Sequence, residues 1–368
     1  MGTTELKSIG RAIPVLLTWV LGLITVAASF AGRYDPATSF YMPALGLLIP
    51  VLLLMNLLVL VCWLFGRRRR WAVVSLVAIL CNWNFVAAVF QINFTDGIPA
   101  THATSTTPDG YLKVATYNVQ GFGSEITGYS AKKLAAYLRD QGTDILCFQE
   151  FAANQYYPMD SLRRVFAHWE YALLSGDSLK GTLPIALFSR YPLTGARFIR
   201  YDGSVNCSLQ CDVVLGTDTL RLLNNHLQTT AFNQNKRRWA REMATDDTRR
   251  EARAVQSAIG TLHDNFLKRA RQTRELCRLV EESRYPVVLC GDLNSLPDSY
   301  TYRQLHALLE DGFRTAGQGY MYTYRYFKRL MRIDYIFHSA SLEGCRYYSP
   351  NMELCSDHNP VLMELKYR

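Results

Sequence analysis

The chain has 368 residues, 49% of them hydrophobic, and a formal net charge of +9. That length leaves room for a large core plus an accessory part. Residues 1–93 hold seven Lys/Arg against two Asp/Glu and the remaining 275 hold 33 against 29, so the positive total does not describe a uniformly cationic nucleic-acid-binding domain.

In chain order, three uncharged apolar runs come first: Ile13 to Ala31, Pro43 to Phe65 and Trp71 to Ile92. Each approaches or passes the ~20 residues that a helix needs to cross a bilayer. The third is interrupted by Asn82, Asn84 and Gln91. They read as three transmembrane helices, with buried core helices as the competing reading. Ala27-Ala28-Ser29 would also suit cleavage of a signal peptide, although two further runs would still hold the protein in a membrane. Lys7, Arg11 and Arg67 to Arg70 fall on the side that the positive-inside rule assigns to the cytoplasm. Three spans then place everything after Ile92 outside it. The expectation is an integral inner- or plasma-membrane protein with an anchor over 1–94, a Thr/Pro/Ala/Gly linker over 95–110 and an extracytoplasmic domain over 111–368.

The remainder carries strand patterns with helices between some of them. Leu112 to Val119 is β-rich and ends at Gln120-Gly121-Phe122-Gly123. Ser130 is read as the cap of a helix whose Ala131, Leu134, Ala135 and Leu138 share one face. Further strands are expected over Asp144 to Phe148, Pro184 to Ser189, Cys207 to Leu215, Leu220 to Asn225, Pro286 to Cys290, Ile333 to His338 and Val361 to Lys366. Strands in clusters favour a layered α/β arrangement with mixed sheets over a purely parallel one. Gln234 to Ser283 contains no proline and one glycine, and Val255, Ile259, Leu262 and Phe266 keep a helical period. Residues 233–284 carry 13 Lys/Arg against eight Asp/Glu. They form either a solvated helical surface or a basic face toward anionic lipid or substrate.

Seven of nine cysteines fall in the soluble part. Cys147 and Cys290 read as buried thiols. Cys207 and Cys211 share a strand face, which leaves a disulfide open, and no spacing suggests zinc.

The polar residues that end strands are Asn118, Glu150, His226, Asp292, Asn294, Asp334, Asp357 and His358. Buried aspartates need a partner, a proton or a metal, and this oxygen-rich set suits Mg²⁺ or Mn²⁺. The carrying motifs are Thr116-Tyr117-Asn118-Val119, Asp144 to Glu150, Asn224-Asn225-His226-Leu227, Gly291-Asp292-Leu293-Asn294, Arg332-Ile333-Asp334-Tyr335 and Ser356 to Pro360. In this order they resemble the endonuclease/exonuclease/phosphatase superfamily, which includes DNase I-like nucleases, neutral sphingomyelinases and inositol-polyphosphate phosphatases.

That resemblance covers about residues 111 to 368. It implies a four-layer α/β sandwich with two mixed β-sheets. It implies Glu150 as principal metal ligand with Asn118 and Asp357 near the same ion, and Asp292 on the attacking water. Asn294 would hold that geometry or touch phosphate, Asp334 would pair with His358, and His226 would hydrogen-bond phosphate and serve the leaving oxygen. Asn206 either reaches the phosphate or is structural, Arg332 is read as a partner of the strand-end carboxylates, and Asp298 and Asp311 as solvent-facing caps or turns. Tyr320 to Phe327 lines a groove or packs as a hairpin. The expected activity is a membrane-tethered, Mg²⁺-dependent phosphoesterase acting on a lipid headgroup, inositol phosphate or nucleic acid, with no obligate protein partner. An extracytoplasmic nuclease and a non-catalytic module that binds anionic headgroups are the alternatives.

Overall fold

The computed structural model describes residues 3–93, 111–230 and 248–367. The linker expected over 95–110 and the start of the basic helical segment lie outside them. The chain divides into two compact units, Met1–Ala88 with Leu296–Arg303, and Val89–Ser295 with Gln304–Arg368.

The first unit contains α1 (Thr3–Ala28), α2 (Tyr41–Gly46), α3 (Ile49–Phe65), α4 (Ala72–Cys81) and most of α5 (Trp83–Val89). The three expected spans are not realised as three long helices. One stretch, Ala12–Arg33, is long and apolar enough to cross a bilayer. Helix α3 has 17 residues, about 26 Å at 1.5 Å per residue, which is short of a ~30 Å hydrocarbon core. The third run is broken at Asn82, where α4 and α5 meet at 66°. Side chains explain the break. The Asn82 amide donates to Ala78 O (3.0 Å) and to Thr25 O (2.9 Å), tying the end of α4 to α1. Asn56 on α3 donates to Thr25 Oγ1 (2.7 Å), so one threonine joins three helices. Polar groups of this kind hold helices together where solvent cannot compete.

The second unit is built on fourteen strands among the described residues. They are β1 (Phe90–Gln91), β2 (Tyr111–Asn118), β3 (Ile145–Gln149), β4 (Tyr171–Leu174), β5 (Ile185–Ser189), β6 (Leu193–Arg200) and β7 (Cys207–Leu215). Then come β8 (Asp218–His226), β9 (Val287–Asp292), β10 (Glu310–Asp311), β11 (Gly319–Tyr320), β12 (Asp334–His338), β13 (Leu342–Tyr348) and β14 (Val361–Tyr367). Two six-stranded sheets run in the orders β10-β12-β9-β8-β7-β6 and β13-β14-β2-β3-β5-β4, and β1 pairs separately with β11. Both sheets are mixed on the same plan. The third and fourth strands of each, β9 with β8 and β2 with β3, are parallel, and every other neighbour is antiparallel.

Alternate residues of both sheets meet in one apolar layer: Val114, Ile145 and Leu187 from one, Leu209, Leu222, Val288 and Ile336 from the other. On the outer side of β2 and β3, helix α6 (Tyr129–Asp140) buries the expected Ala131, Leu134, Ala135 and Leu138, joined by Phe148, Phe151, Phe166 and Trp169. The helical period read over Val255 and Ile259 does not mark a buried face, because those residues are about half exposed (48% and 47%). In the 34-residue helix Thr248–Glu281 the buried side chains include Ala254, Phe266, Ala270, Thr273, Leu276 and Leu279, along with the polar Asn265, Arg269 and Gln272. Cys207 and Cys211 are both free and lie four residues apart on β7. Roughly 13 Å of strand separates them, which excludes a disulfide.

Arg332 pairs with Asp311, the acid that ends β10. It makes two hydrogen bonds to Asp311, at 2.7 and 2.6 Å, with both side chains fully buried. Asp311 is therefore not solvent-facing, although it does cap the helix Gly312–Ala316 by accepting from Phe313 N–H. Asp298 is also buried. Asp311→Ala leaves a guanidinium buried without its counter-ion and is expected to destabilise the domain by about 3–5 kcal/mol. The double change Asp311→Leu with Arg332→Met costs much less. Denaturant midpoints of the three proteins provide the check.

Candidate active site

Sheet register assembles the site before any side chain is considered. His226 on β8 lies beside Asp292 on β9, and Asp292 lies beside Asp334 on β12. On the other sheet Asn118 on β2 lies beside Gln149 on β3, with Glu150 next in the chain. The carboxyl ends of the two parallel pairs thus converge, and β12 starts at the same level. The backbone at Gly291 comes so close to β8 that a Cβ there would meet Asn225 O at 1.9 Å, and its φ is +133°. No other residue fits the Gly-Asp step.

Asp292 is the hub, with 1% of its surface exposed. Its Oδ1 accepts from Asn294 N–H at 2.9 Å. Its Oδ2 accepts from Asn118 Nδ2 at 3.1 Å, and both His226 Nε2 and His358 Nε2 stand 3.7 Å away. Burial pushes its carboxyl up to about 6, although His358 opposes the shift. His358 Nδ1 lies 2.8 Å from Asp334 Oδ2. Burial alone would pull the His358 imidazolium down, but Asp334, Asp292 and Asp357 outweigh it and hold it up at about 10. Burial dominates at His226 and favours its neutral form. The Nδ1 of His226 and the Oδ1 of Asp334 are buried without a hydrogen-bond partner among the described residues.

Glu150 sits in the left-handed region (φ +53°), with its side chain 28% exposed. Burial raises its pKa, against the hydrogen bond from Asn118 Nδ2 at 3.3 Å. His226 Nε2 is 3.8 Å from Glu150 Oε1. Asn118 therefore donates to two acids, while its own oxygen accepts from Gln120 N–H at 3.1 Å. Asp357 reaches the same region, with Oδ1 3.7 Å from His358 Nε2. Asn294 is left-handed (φ +47°) and ties Leu227 O with its amide at 2.9 Å. Non-glycine left-handed residues cost energy and gather where function requires them. Glu150 and Asn294 fit that pattern.

Asn206 is fully buried, and its Nδ2 has no hydrogen-bond partner among the described residues. Its loop neighbour Ser204 donates to Gln228 Oε1 at 2.7 Å. Ligand atoms of Asp292, Asp334 and His358 lie within 4.8 Å of one another, close enough for an ion. The short His358–Asp334 contact already satisfies two of them. Glu150 and Asp357 offer more accessible oxygens, with side chains 28% and 16% exposed. This carboxylate set suits a hard, hydrated divalent cation that keeps room for waters and phosphate.

Several residues that build the site carry no obvious chemical signal in the sequence. Gln149 Nε2 crosses between the sheets to Asn224 Oδ1 at 2.7 Å, and Asn224 returns its amide to Ala186 O (3.0 Å) and Phe148 O (3.3 Å). Ser356 Oγ donates to Asn118 O at 2.6 Å and accepts from His358 N–H at 3.0 Å. From the basic helix, Arg269 donates to Gln228 O (2.6 Å) and Gln272 accepts from Gln228 N–H (2.8 Å). These two residues clamp the backbone two positions past His226. Arg269 is 5% exposed, and burial pulls its guanidinium down to about 10. The segment's positive charge is thus partly structural. Spacing on the helix, Arg269 three residues before Gln272, was the available sign.

A family model described as Endonuclease/Exonuclease/phosphatase family matches residues 115–358, and a domain of unknown function matches residues 11–89. No curated protein matches the chain. Among solved structures, a humanised D. rerio TDP2 carrying 14 mutations is 16% identical, with 70% of this chain and 99% of that one covered at a TM-score of 0.49. The endonuclease/exonuclease/phosphatase from Beutenbergia cavernae is 18% identical, with 70% and 72% covered and a TM-score of 0.49. The human Nocturnin catalytic domain with bound sulfate is 14% identical, with 70% and 94% covered and a TM-score of 0.47.

Asn224→Leu removes the bridge between the sheets and sets an apolar group against the buried Gln149 amide, which keeps Thr116 Oγ1 (3.0 Å) and Cys147 O (3.3 Å) on its own sheet. At about 1–3 kcal/mol for a buried polar group deprived of a partner, it is expected to lower the melting temperature well beyond the effect of a surface change. A change within experimental error would show that the bridge is dispensable.

Proposed function

This chain belongs to the endonuclease/exonuclease/phosphatase family of metal-dependent phosphoesterases, and from that premise we propose that it is a Mg²⁺-dependent, membrane-tethered phosphoesterase that works by in-line attack of water. The observation that carries the reading is the convergence of four nitrogen groups on Asp292: Asn118 Nδ2, the Asn294 backbone N–H, and Nε2 of His226 and His358.

Glu150 and Asp357 would hold the cation, with Asn118 fixing the Glu150 carboxylate. When bound, the ion neutralises charge that develops on the phosphoryl oxygens. Asp292 is poised to accept a proton, because a carboxyl near 6 is a stronger base than an ordinary aspartate yet still ionised at neutral pH. Asn294 N–H holds Oδ1 and Asn118 Nδ2 holds Oδ2, and because both histidine Nε2 atoms stand 3.7 Å from Oδ2, that oxygen would be the one turned toward the water. His358, charged and oriented by Asp334, stabilises the negative phosphoryl group. Neutral His226 donates from Nε2 to the phosphate or to the departing oxygen. Asn206 offers its unpartnered amide as a further phosphate donor. The ends of β8, β9 and β12 in one mixed sheet and of β2 and β3 in the other carry these groups.

The apolar stretch Ala12–Arg33 supports tethering, and Thr25, Asn56 and Asn82 would hold the shorter apolar helices α3 and α4 beside it. Basic residues at Arg67–Arg70 favour an extracytoplasmic catalytic domain. Resistance to alkaline carbonate extraction, together with reporter fusions after residue 93 that are active only outside the cytoplasm, is the expected result. Extraction into the soluble fraction would overturn tethering.

On bis-p-nitrophenyl phosphate the protein is expected to be inactive in chelator and to recover on addition of Mg²⁺. Glu150→Gln and His358→Ala should each lower kcat/KM by at least about 100-fold while circular dichroism stays unchanged. Absence of metal-dependent turnover on that ester and on nucleic acid, sphingomyelin-like and inositol-phosphate substrates would sink the proposal and favour a binding module.

A further inference from the structure

The stretch from Gly317 to Arg325 meets the candidate active site at its C-terminal end. Thr323 is fully buried, and its Oγ1 accepts from the N–H groups of Ile333 and Asp334, both at 3.0 Å. Its carbonyl accepts from Asn359 N–H at 2.7 Å. Thr323 and Tyr324 both donate their N–H to Met331 O, at 3.0 and 3.1 Å, which closes a hairpin. The Tyr324 ring packs edge-on against the His358 imidazole, with centres 5.1 Å apart. Arg325 N–H donates to Asp357 O at 2.8 Å. One stretch of backbone therefore fixes residues on both sides of the contact between His358 and Asp334.

The N-terminal end of the same stretch is paired with the chain that leaves α5. Strand β1 lies antiparallel to β11, with Phe90 opposite Tyr320 and Gln91 opposite Gly319. Val89 O accepts from Met321 N–H at 2.8 Å, and Asn93 Nδ2 donates to Gly317 O at 2.6 Å. Met321 is buried in the apolar layer between the sheets and stands two residues before Thr323. Two residues of extended chain leave little slack between the β1 ladder and the threonine. The strand itself buries little apolar surface, since Phe90 and Ile92 are 47% and 61% exposed. Hydrogen bonds hold it, and a ladder of two short strands is marginal by itself.

We propose that β1 is a strap that positions the His358–Asp334 pair. Its ladder and the Asn93 amide hold Gly317 to Met321 in place, and Thr323 passes that constraint to the backbones of Asp334 and Asn359. Asn93 is a positioning residue and touches no reacting atom. The link between the apolar helices and the catalytic unit thereby sets the geometry of the site, and turnover depends on the strap being engaged. This inference rests on the phosphoesterase reading.

The test uses the full chain in detergent with Mg²⁺ and bis-p-nitrophenyl phosphate. Asn93→Ala, and Gln91→Pro, which a ladder does not accommodate, are each expected to lower kcat about tenfold. KM and the melting temperature should stay nearly unchanged. Asn93→Gln keeps a donor and should recover part of the loss, and Ile92→Ser should have no effect. A relay also predicts non-additivity. Thr323→Val removes the hydroxyl acceptor, and adding Asn93→Ala to it should cost less than about twofold more. Full additivity, or a loss of activity that follows the melting temperature, would reduce β1 to a structural tie and overturn the assignment. Hydrogen exchange separates the strap from the reaction. Faster exchange of the Asp334 and Asn359 amides in Asn93→Ala, with no turnover of any ester by the unaltered protein, keeps the strap and removes the phosphoesterase. Turnover that Asn93→Ala and Gln91→Pro leave intact does the reverse.

Discussion

The hydrogen bond between Gln149 and Asn224 is the interaction on which the rest of the site depends. Apolar packing brings two sheets together but is tolerant of sliding, since one leucine fits against another over a range of offsets. A buried amide pair is not tolerant, because a shifted partner leaves donors unsatisfied. Gln149 stands one residue before Glu150, and Asn224 two before His226. Locking these two amides sets the offset between the sheets directly beneath the carboxylates. Above it, the Asn118 contact to Asp292 crosses the same gap. Within one sheet, register alone aligns His226, Asp292 and Asp334, and no loop flexibility enters their spacing.

The sequence made the central strands legible because they are buried on both faces and read as continuous apolar runs. Strands β2, β3, β5, β7, β8, β9, β12 and β14 all fall where the pattern placed them, within a residue or two. The strands left unread were β4, β6 and β13, which are edge strands, along with the two-residue pieces. Strand β6 is mostly exposed and carries Thr, Gly and Arg in place of an apolar alternation. An edge strand is specified by its neighbour, and a single sequence does not contain that information in local form. The acids and histidines were legible for the opposite reason: carboxylates at the ends of buried strands demand an explanation. Their supporting amides gave no such warning, since Gln149 and Asn224 are neutral and common, and only the fold shows them facing each other.

The N-terminal runs show where hydropathy misleads. Composition reported three apolar stretches, but hydropathy averages over Asn82 and does not register that one amide can end a helix by bonding to a neighbour's backbone. Helix α3 falls short for the plainer reason that the run is divided at Leu47-Leu48: α2 ends at Gly46 and α3 begins at Ile49, with Pro50 in its first turn. The left-handed residues lie beyond sequence reading as well. Of these, Asn294 is of a type that enters the left-handed region readily, but nothing in the type of Glu150 or of Phe327 to Arg329 predicts their positive φ.

Each sheet repeats one plan, an inner parallel pair between antiparallel neighbours, and each plan contributes only part of the chemistry. One half brings Asn118 and Glu150, the other His226, Asp292 and Asp334. Neither half is competent by itself. On the proposed mechanism, catalytic competence would thus be a readout of docking between the halves. Perturbations that loosen the interface by a fraction of an ångström would silence the protein while most of its secondary structure persists, so inactivation should precede unfolding.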